Sequence, residues 1–508
     1  MASDTDTSSG QVKASDEGAK NRAAIDRSAR LPVLFFFTSS ALWLVIASVL
    51  GFIAAMKLHD PGFLDYDWAY FLNYGMVKPA FIGAFVYGWA FQAGLGVAVW
   101  IMARLCRTKI SNPLTLIVAG HFWNIGVVLG VLSIFLGYAT GMEWMQFPAF
   151  VWPLLLIAYS LVSVWVVLMF QRRRPGQVYI SQWYLLAACF WFPWVYLTAN
   201  VFIHVLPGSA VMSAAINSWY INNVIFMVLT PIGLASAYYF IPKILGRPVH
   251  SYQLSIVGFW GLAVLTGWSG MQKYLGGPLP TWMPAISGAA TILMLVPVVT
   301  VAINHHLTTR GNHDLMQSSP TMLFTVVGAV AYTITAGVAA LFCFVPIAKV
   351  TQFTHASYGF QILAVYAFFS MSMFGAMYFI VPRLVGGEWK SAKMIRFHFW
   401  FSTYGVFAIV ALLMLGGLFQ ANGINHSWDE GFVYGVESSR GMMVGAAVGW
   451  ACIFLSNLVF LFHLCLMVCR RQGAEADGPT LLQEPRHAAV VDITTDADAP
   501  TVADPAKA

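Results

Sequence analysis

Long apolar runs broken by short polar turns dominate the chain. They fall near 31–56, 78–104, 114–140, 148–171, 179–205, 217–241, 251–275, 282–306, 321–347, 354–382, 394–419 and 441–469. Each is close to the roughly 20 residues that an α-helix needs to cross a bilayer. In lipid the helix satisfies its own backbone polar groups. The pattern therefore predicts an all-α integral membrane protein of about twelve transmembrane helices. Residues 1–30 are polar without an apolar stretch, which predicts a disordered tail and no cleavable signal peptide. Residues 471–508, rich in Ala, Asp, Thr and Pro, predict a second disordered tail. The membrane domain then takes 31–470. No repeat emerges: HFW occurs at His121 and at His398, but a tripeptide is too short to argue duplication.

Composition agrees with this pattern. Only 9% of the 508 residues are charged, against about 25% in a soluble domain. The net charge of +6 does not point to nucleic acid, because the basic residues sit in short clusters between apolar runs. With twelve spans, Arg104/Arg107/Lys109, Arg172–Arg174, Lys243/Arg247, Arg310, Arg383/Lys390/Lys393/Arg396 and Arg470/Arg471 all fall on one side. The other side receives Lys57, Lys78, Lys273, Lys349 and Arg440. The positive-inside rule then places both termini in the cytoplasm. Six scattered cysteines form neither CxxC nor CxxCH, so no covalent c-type haem and no zinc ribbon is implied.

Polar residues at membrane depth are expensive and mark candidate sites. Asn222 and Asn223 lie one turn into helix 6, and Gln272 and Lys273 lie where helix 7 ends on the same side. Together they form one polar pocket, or else the asparagines act as interhelical glue and Lys273 snorkels to the interface. Four intramembrane histidines, His121, His204, His355 and His398, are candidate metal ligands or hydrogen-bonded structural residues. His305–His306 ends helix 8, where a solvated boundary is the simpler account.

The segments WY at 219–220, YYFIPK at 238–243, GRPVHSYQLSIVGFW at 246–260 and LPTW at 279–282 occur in order. GY at 137–138, PRLVG at 382–386, HFWFSTYG at 398–405 and VESSRGMMVG at 436–445 complete the set. This series resembles subunit I of the haem-copper oxidases, closest to the cbb3-type branch, over most of the twelve spans. The resemblance implies a twelve-helix subunit I-like bundle. It also implies six histidines, for a low-spin haem, a high-spin haem and a copper ion, and here it breaks. The low-spin position on helix 2 is Phe81, and its partner on helix 10 is Ser357. The copper positions are Asn222, Gln272 and Lys273, and the redox tyrosine position is Thr266. Only His355 remains, as the high-spin ligand. Amides bind copper poorly beside imidazole, and a protonated lysine not at all.

These positions imply a divergent, copper-free relative in a bacterial inner membrane, holding one haem b on His355 or none. It would serve a respiratory or haem-related complex, surrounded by membrane lipid and partnered by a membrane-anchored c-type cytochrome or other respiratory subunits. Glu143 and Arg440 fall where the family places groups around haem propionates. Two other readings stand beside it. One is an active terminal oxidase or nitric oxide reductase; the other is a transporter or assembly factor using the former cofactor cavity.

Overall fold

The computed structural model describes residues 4–206, 208–426 and 431–469. The C-terminal tail expected from residue 471 lies outside them. Twelve helices are long and apolar enough to cross a membrane. They are α1 (Glu17–Lys57), α2 (Tyr74–Cys106), α3 (Pro113–Phe135), α4 (Ala149–Gln171), α5 (Ile180–Val205) and α6 (Ala210–Leu245). The second half comprises α7 (Tyr252–Tyr274), α8 (Trp282–Thr309), α9 (Pro320–Leu341), α10 (His355–Val385), α11 (Ala392–Asn425) and α12 (Phe432–Cys469). The expected all-α twelve-span architecture is the architecture found.

The residue-30 boundary falls inside a helix that runs Asp4–Lys57. Ile25, Ala29 and Val33, spaced four apart on one helical face, are all buried. Asp26 accepts from Trp100 Nε1 at 3.0 Å and pairs with Arg104 at 3.1 Å. The polar stretch before the span is thus part of the packed structure from at least Ile25. Its acidic residue meets a cluster that orientation counting treats only as charge.

Three helices, α2, α6 and α10, are buried along their whole apolar windows, and the other nine surround them. Each of the three carries a π-helical segment: Ala84–Phe91, Val224–Leu229 and Leu363–Ser370. Each ends in a left-handed cap, at Arg107, Gly246 and Gly386, with φ of 52°, 62° and 70°. A left-handed residue closes a helix by returning its N–H to the last carbonyls, and glycine adopts it without steric cost. The three are evenly spaced along the chain, so a four-helix unit occurs three times. HFW at 121 and 398 lies in α3 and α11, the helices that follow the first and third central helices. Trp89 Nε1 donates to Ser370 Oγ at 2.7 Å, and the Tyr87 and Tyr220 hydroxyls share a 2.6 Å bond. These contacts tie α2 to α10 and to α6.

Candidate functional site

The α6–α7 stretch is built around a break. The regular helix of α7 stops at Leu265, passes through a 3₁₀ turn at Thr266–Trp268, and resumes as a second 3₁₀ turn at Met271–Tyr274. Gly270 stands between them at φ 117°, a conformation that side chains other than glycine rarely adopt. A Cβ there would come 2.7 Å from the Trp219 backbone. Close approach lets α6 hold the unwound segment: Ser218 Oγ donates to Gly270 O at 2.6 Å and Trp219 Nε1 to Gly267 O at 2.8 Å.

The residues singled out in the sequence are engaged in that clasp. Asn222 Nδ2 donates to Ser269 Oγ at 2.6 Å, and Asn223 Nδ2 to Trp219 O at 2.8 Å. Gln272 Oε1 accepts from Gly270 N at 2.6 Å and from Ser287 Oγ at 2.7 Å. Thr266 Oγ1 donates to Leu262 O at 2.7 Å. Asn222 and Asn223 are buried, whereas Gln272 and Lys273 are half-buried.

Lys273 leaves the clasp. Its Nζ lies 3.3 Å from Glu143 Oε2, on the loop between α3 and α4. Glu143 Oε1 accepts from Gln361 Nε2 at 2.8 Å, Gln361 Oε1 from Trp144 Nε1 at 2.8 Å, and Glu143 O from Asn217 Nδ2 at 2.8 Å. Burial by itself raises the Glu143 carboxyl, but Lys273, the Gln361 amide and the charge of Lys78 hold it below the ordinary 4.5. Lys78 lies over the rings of Tyr358 and Tyr74, 5.3 and 5.5 Å from their centroids. Arg440, the other expected propionate group, is exposed on α12, and the ion-pair partner of Glu143 is Lys273.

His355 opens α10, half-buried, with its backbone N–H on Gln420 Oε1 at 3.0 Å. Its ring has no hydrogen bond among the described residues, and Lys78 is its charged neighbour. That free imidazole fits one axial position. The expected low-spin position on α2 offers no nitrogen ligand. Phe81 is packed against Phe85, Trp450 and Tyr358, with ring centroids 5.5, 5.1 and 6.5 Å away. Phe85 continues the aromatic fill to Tyr366 at 6.0 Å. Nor do Asn222, Gln272 and Lys273 fit copper: an amide nitrogen, an oxygen already accepting two bonds and a paired ammonium offer no ligand set.

The remaining histidines separate. His121 is exposed on α3 against Phe35 at 4.6 Å, His204 is half-buried, and His398 is buried on α11. His305 is not at a solvated boundary but buried edge-on to Tyr238 at 4.5 Å, while His306 beside it is exposed. Adjacent helical residues point about 100° apart, so the pair cannot share one environment. Gln361, Trp144, Asn217 and Ser269 belong to the site and were not read from sequence. Gln361, a polar residue inside an apolar run, and Ser269, between Gly267 and Gly270, carry a visible signal.

The family described as Cytochrome C and Quinol oxidase polypeptide I matches residues 31–452. The chain is 25% identical to the cbb3-type cytochrome c oxidase subunit CcoN1 of Stutzerimonas stutzeri over 460 residues, covering 87% of this chain and 95% of that protein. A cytochrome c oxidase subunit 1 homolog of Agrobacterium tumefaciens is 24% identical over 468 residues, covering 88% and 85%. Among solved structures, a heme-copper terminal oxidase dimer determined by cryo-EM superposes with a TM-score of 0.67 at 14% identity, covering 91% of this chain and 88% of that one. The chain belongs to the oxidase polypeptide I family, as a divergent subunit I-like, multi-pass membrane protein.

Proposed function

We propose that this member of the family carries the subunit I bundle without the copper reaction, and serves a respiratory or haem-related membrane complex. The observation that carries the reading is the 3.3 Å pair of Lys273 with Glu143. An ammonium held by its own carboxylate replaces an imidazole at a copper position and repels a cation there. The asparagine and glutamine beside it spend their polar atoms on closing α7 against α6. Haem is the cofactor class that family membership implies, and His355 is the one position of the expected set that keeps an imidazole. One haem b on His355 is therefore the cofactor assignment, with Glu143 on the side of its propionates. Relatives named as oxidase subunits point to other respiratory subunits as partners, a membrane-anchored c-type cytochrome among them. The Lys/Arg asymmetry puts both termini in the cytoplasm, with a bacterial inner membrane as the location.

Purified protein, wild type and His355→Ala, tests this by metal analysis and a pyridine haemochrome spectrum. The expected result is copper at background and one haem b per chain that disappears in His355→Ala. Two haems b with stoichiometric copper would overturn the copper-free reading. Copper at background with no haem in the wild type would remove the His355 assignment alone.

A further inference from the structure

Two histidines far from the α6–α7 clasp are unused by that reading. His398 on α11 and His463 on α12 have no solvent exposure. They lie at the end of the bundle where α10 stops and Arg383, Lys390, Lys393 and Arg396 cluster. Tyr378 Oη lies 2.8 Å from His398 Nδ1 and fixes that ring. Phe460 stacks on His398 at 4.7 Å, Phe374 meets it edge-on at 4.5 Å, and Trp389 packs against His463 at 4.7 Å. Trp389 also packs on Tyr378 at 4.8 Å, so the ring that fixes His398 and the ring against His463 form one cluster. Yet His398 Nε2 and both ring nitrogens of His463 are buried without a hydrogen-bond partner.

A neutral imidazole presents one N–H and one bare nitrogen. His463 thus strands a donor and an acceptor, and His398 Nε2 strands one or the other according to its tautomer. Left dry, each forfeits the hydrogen bonds it makes in water. A metal ion does not answer the need. No group of three His, Cys, Asp or Glu among the described residues could hold one. Two neutral imidazoles bring no negative charge to offset a cation in an apolar interior. Water does answer it, because a buried water takes two to four polar partners and can both donate and accept.

The same quadrant is polar farther up. Ser456 Oγ donates to the His398 carbonyl at 2.9 Å and bonds Ser402 Oγ at 2.7 Å. Tyr366 Oη lies 3.3 Å from Ser402 and donates to Asn457 at 2.7 Å, and Asn457 donates to Ser48 at 2.8 Å.

We propose that internal water bridges His398 Nε2 and His463, and that this hydrated pair is a proton-exchange site between α11 and α12. A proton taken up on the bare nitrogen of one ring is balanced by loss of the N–H proton from its other nitrogen. Each ring then returns to its neutral form in the other tautomer, and nothing is oxidised or reduced. The site does not depend on whether the chain binds haem.

Cryo-EM of the full chain in nanodiscs, at a resolution that shows ordered water, tests the proposal. Density is expected within hydrogen-bond distance of His398 Nε2 and His463, and ring ¹⁵N shifts of His-labelled protein should report hydrogen-bonded nitrogens. His463→Phe should lose that density and lower the melting temperature, because it leaves His398 Nε2 buried without its bridging water. Ring nitrogens in contact only with carbon, or ¹⁵N shifts of unbonded rings, would overturn the proposal. A higher melting temperature in His463→Phe would do the same, since losing dry orphans stabilises. Density confirmed as metal by elemental analysis would replace it with a metal site. The wild-type density and shifts decide even if the variant does not fold.

Discussion

Replacing Lys273 by Met removes one charge and keeps most of the stem. At 3.3 Å a unit charge pair is worth about 5 kcal/mol at an effective dielectric of 20 and about 1.3 kcal/mol in bulk water. Both side chains keep 29% of their surface, so water screens part of that. Exposed pairs contribute about 0.2–1 kcal/mol, and breaking a buried one costs about 3–5 kcal/mol. The expected loss lies between, at about 2 kcal/mol. Thermal unfolding of Lys273→Met, Glu143→Gln and the double variant in nanodiscs measures the coupling, expected near 1–2 kcal/mol. Single effects that add to the double within about 0.5 kcal/mol would show that the pair is not a pair in solution. The acid limb gives a second check. The folded carboxyl of Glu143 lies below its ordinary 4.5, so its contribution is complete above that pH and is lost as pH falls through the folded value. Lys273→Met should flatten that limb. An unchanged acid dependence would remove Lys273 from the account.

Three further outcomes follow from the packing. Gly270→Ala combines a positive φ with a Cβ 2.7 Å from backbone, and should cost about 2 kcal/mol or more in thermal unfolding, whereas Gly276→Ala, with a positive φ but open space, should cost less. Asp26→Ala strips the carboxylate from Arg104 and Trp100 at a site only 8–12% exposed, and should lower stability by about 3 kcal/mol; a neutral result would return residues 17–30 to the tail. Phe81→His should leave the haem content of purified protein unchanged, because the second position the resemblance implies holds Ser357 and the Phe81 ring is packed against Tyr358 and Trp450.

What could be read from sequence divides along a physical line. Span count and family were legible because apolar length and motif order are properties of consecutive residues. The Glu143–Lys273 pair was not, since the partners stand 130 residues apart on a loop and a helix end. The break in α7 was overlooked although Gly267, Ser269 and Gly270 spell it, because an apolar run of spanning length masks a local unwinding. The repetition of α2, α6 and α10 is written at two of the helix ends, where Pro242-Lys243 and Pro382-Arg383 each stand four and three residues before the capping glycine. The first unit departs from it, with Arg107 at the cap, and the π segments, set in register, share only Val86-Tyr87 with Val365-Tyr366.

That division also explains how the family is legible although imidazole is absent from most of the expected ligand positions. The framework segments that carry the likeness include Tyr238, Pro242, Gly246, Phe259 and Arg383, which pack cores, cap helices and line the basic end. The ligand positions do different work: Phe81 fills a gap, Asn222 and Gln272 close a turn, and Lys273 pairs with a loop carboxylate. A helix end that presents no imidazole needs some other group to satisfy its backbone and fill its volume. Amides beside an unwound segment and aromatics between two central helices meet both needs. On the copper-free reading we propose, the chain inserts and folds as a subunit I-like bundle, and a bound haem would rest on His355.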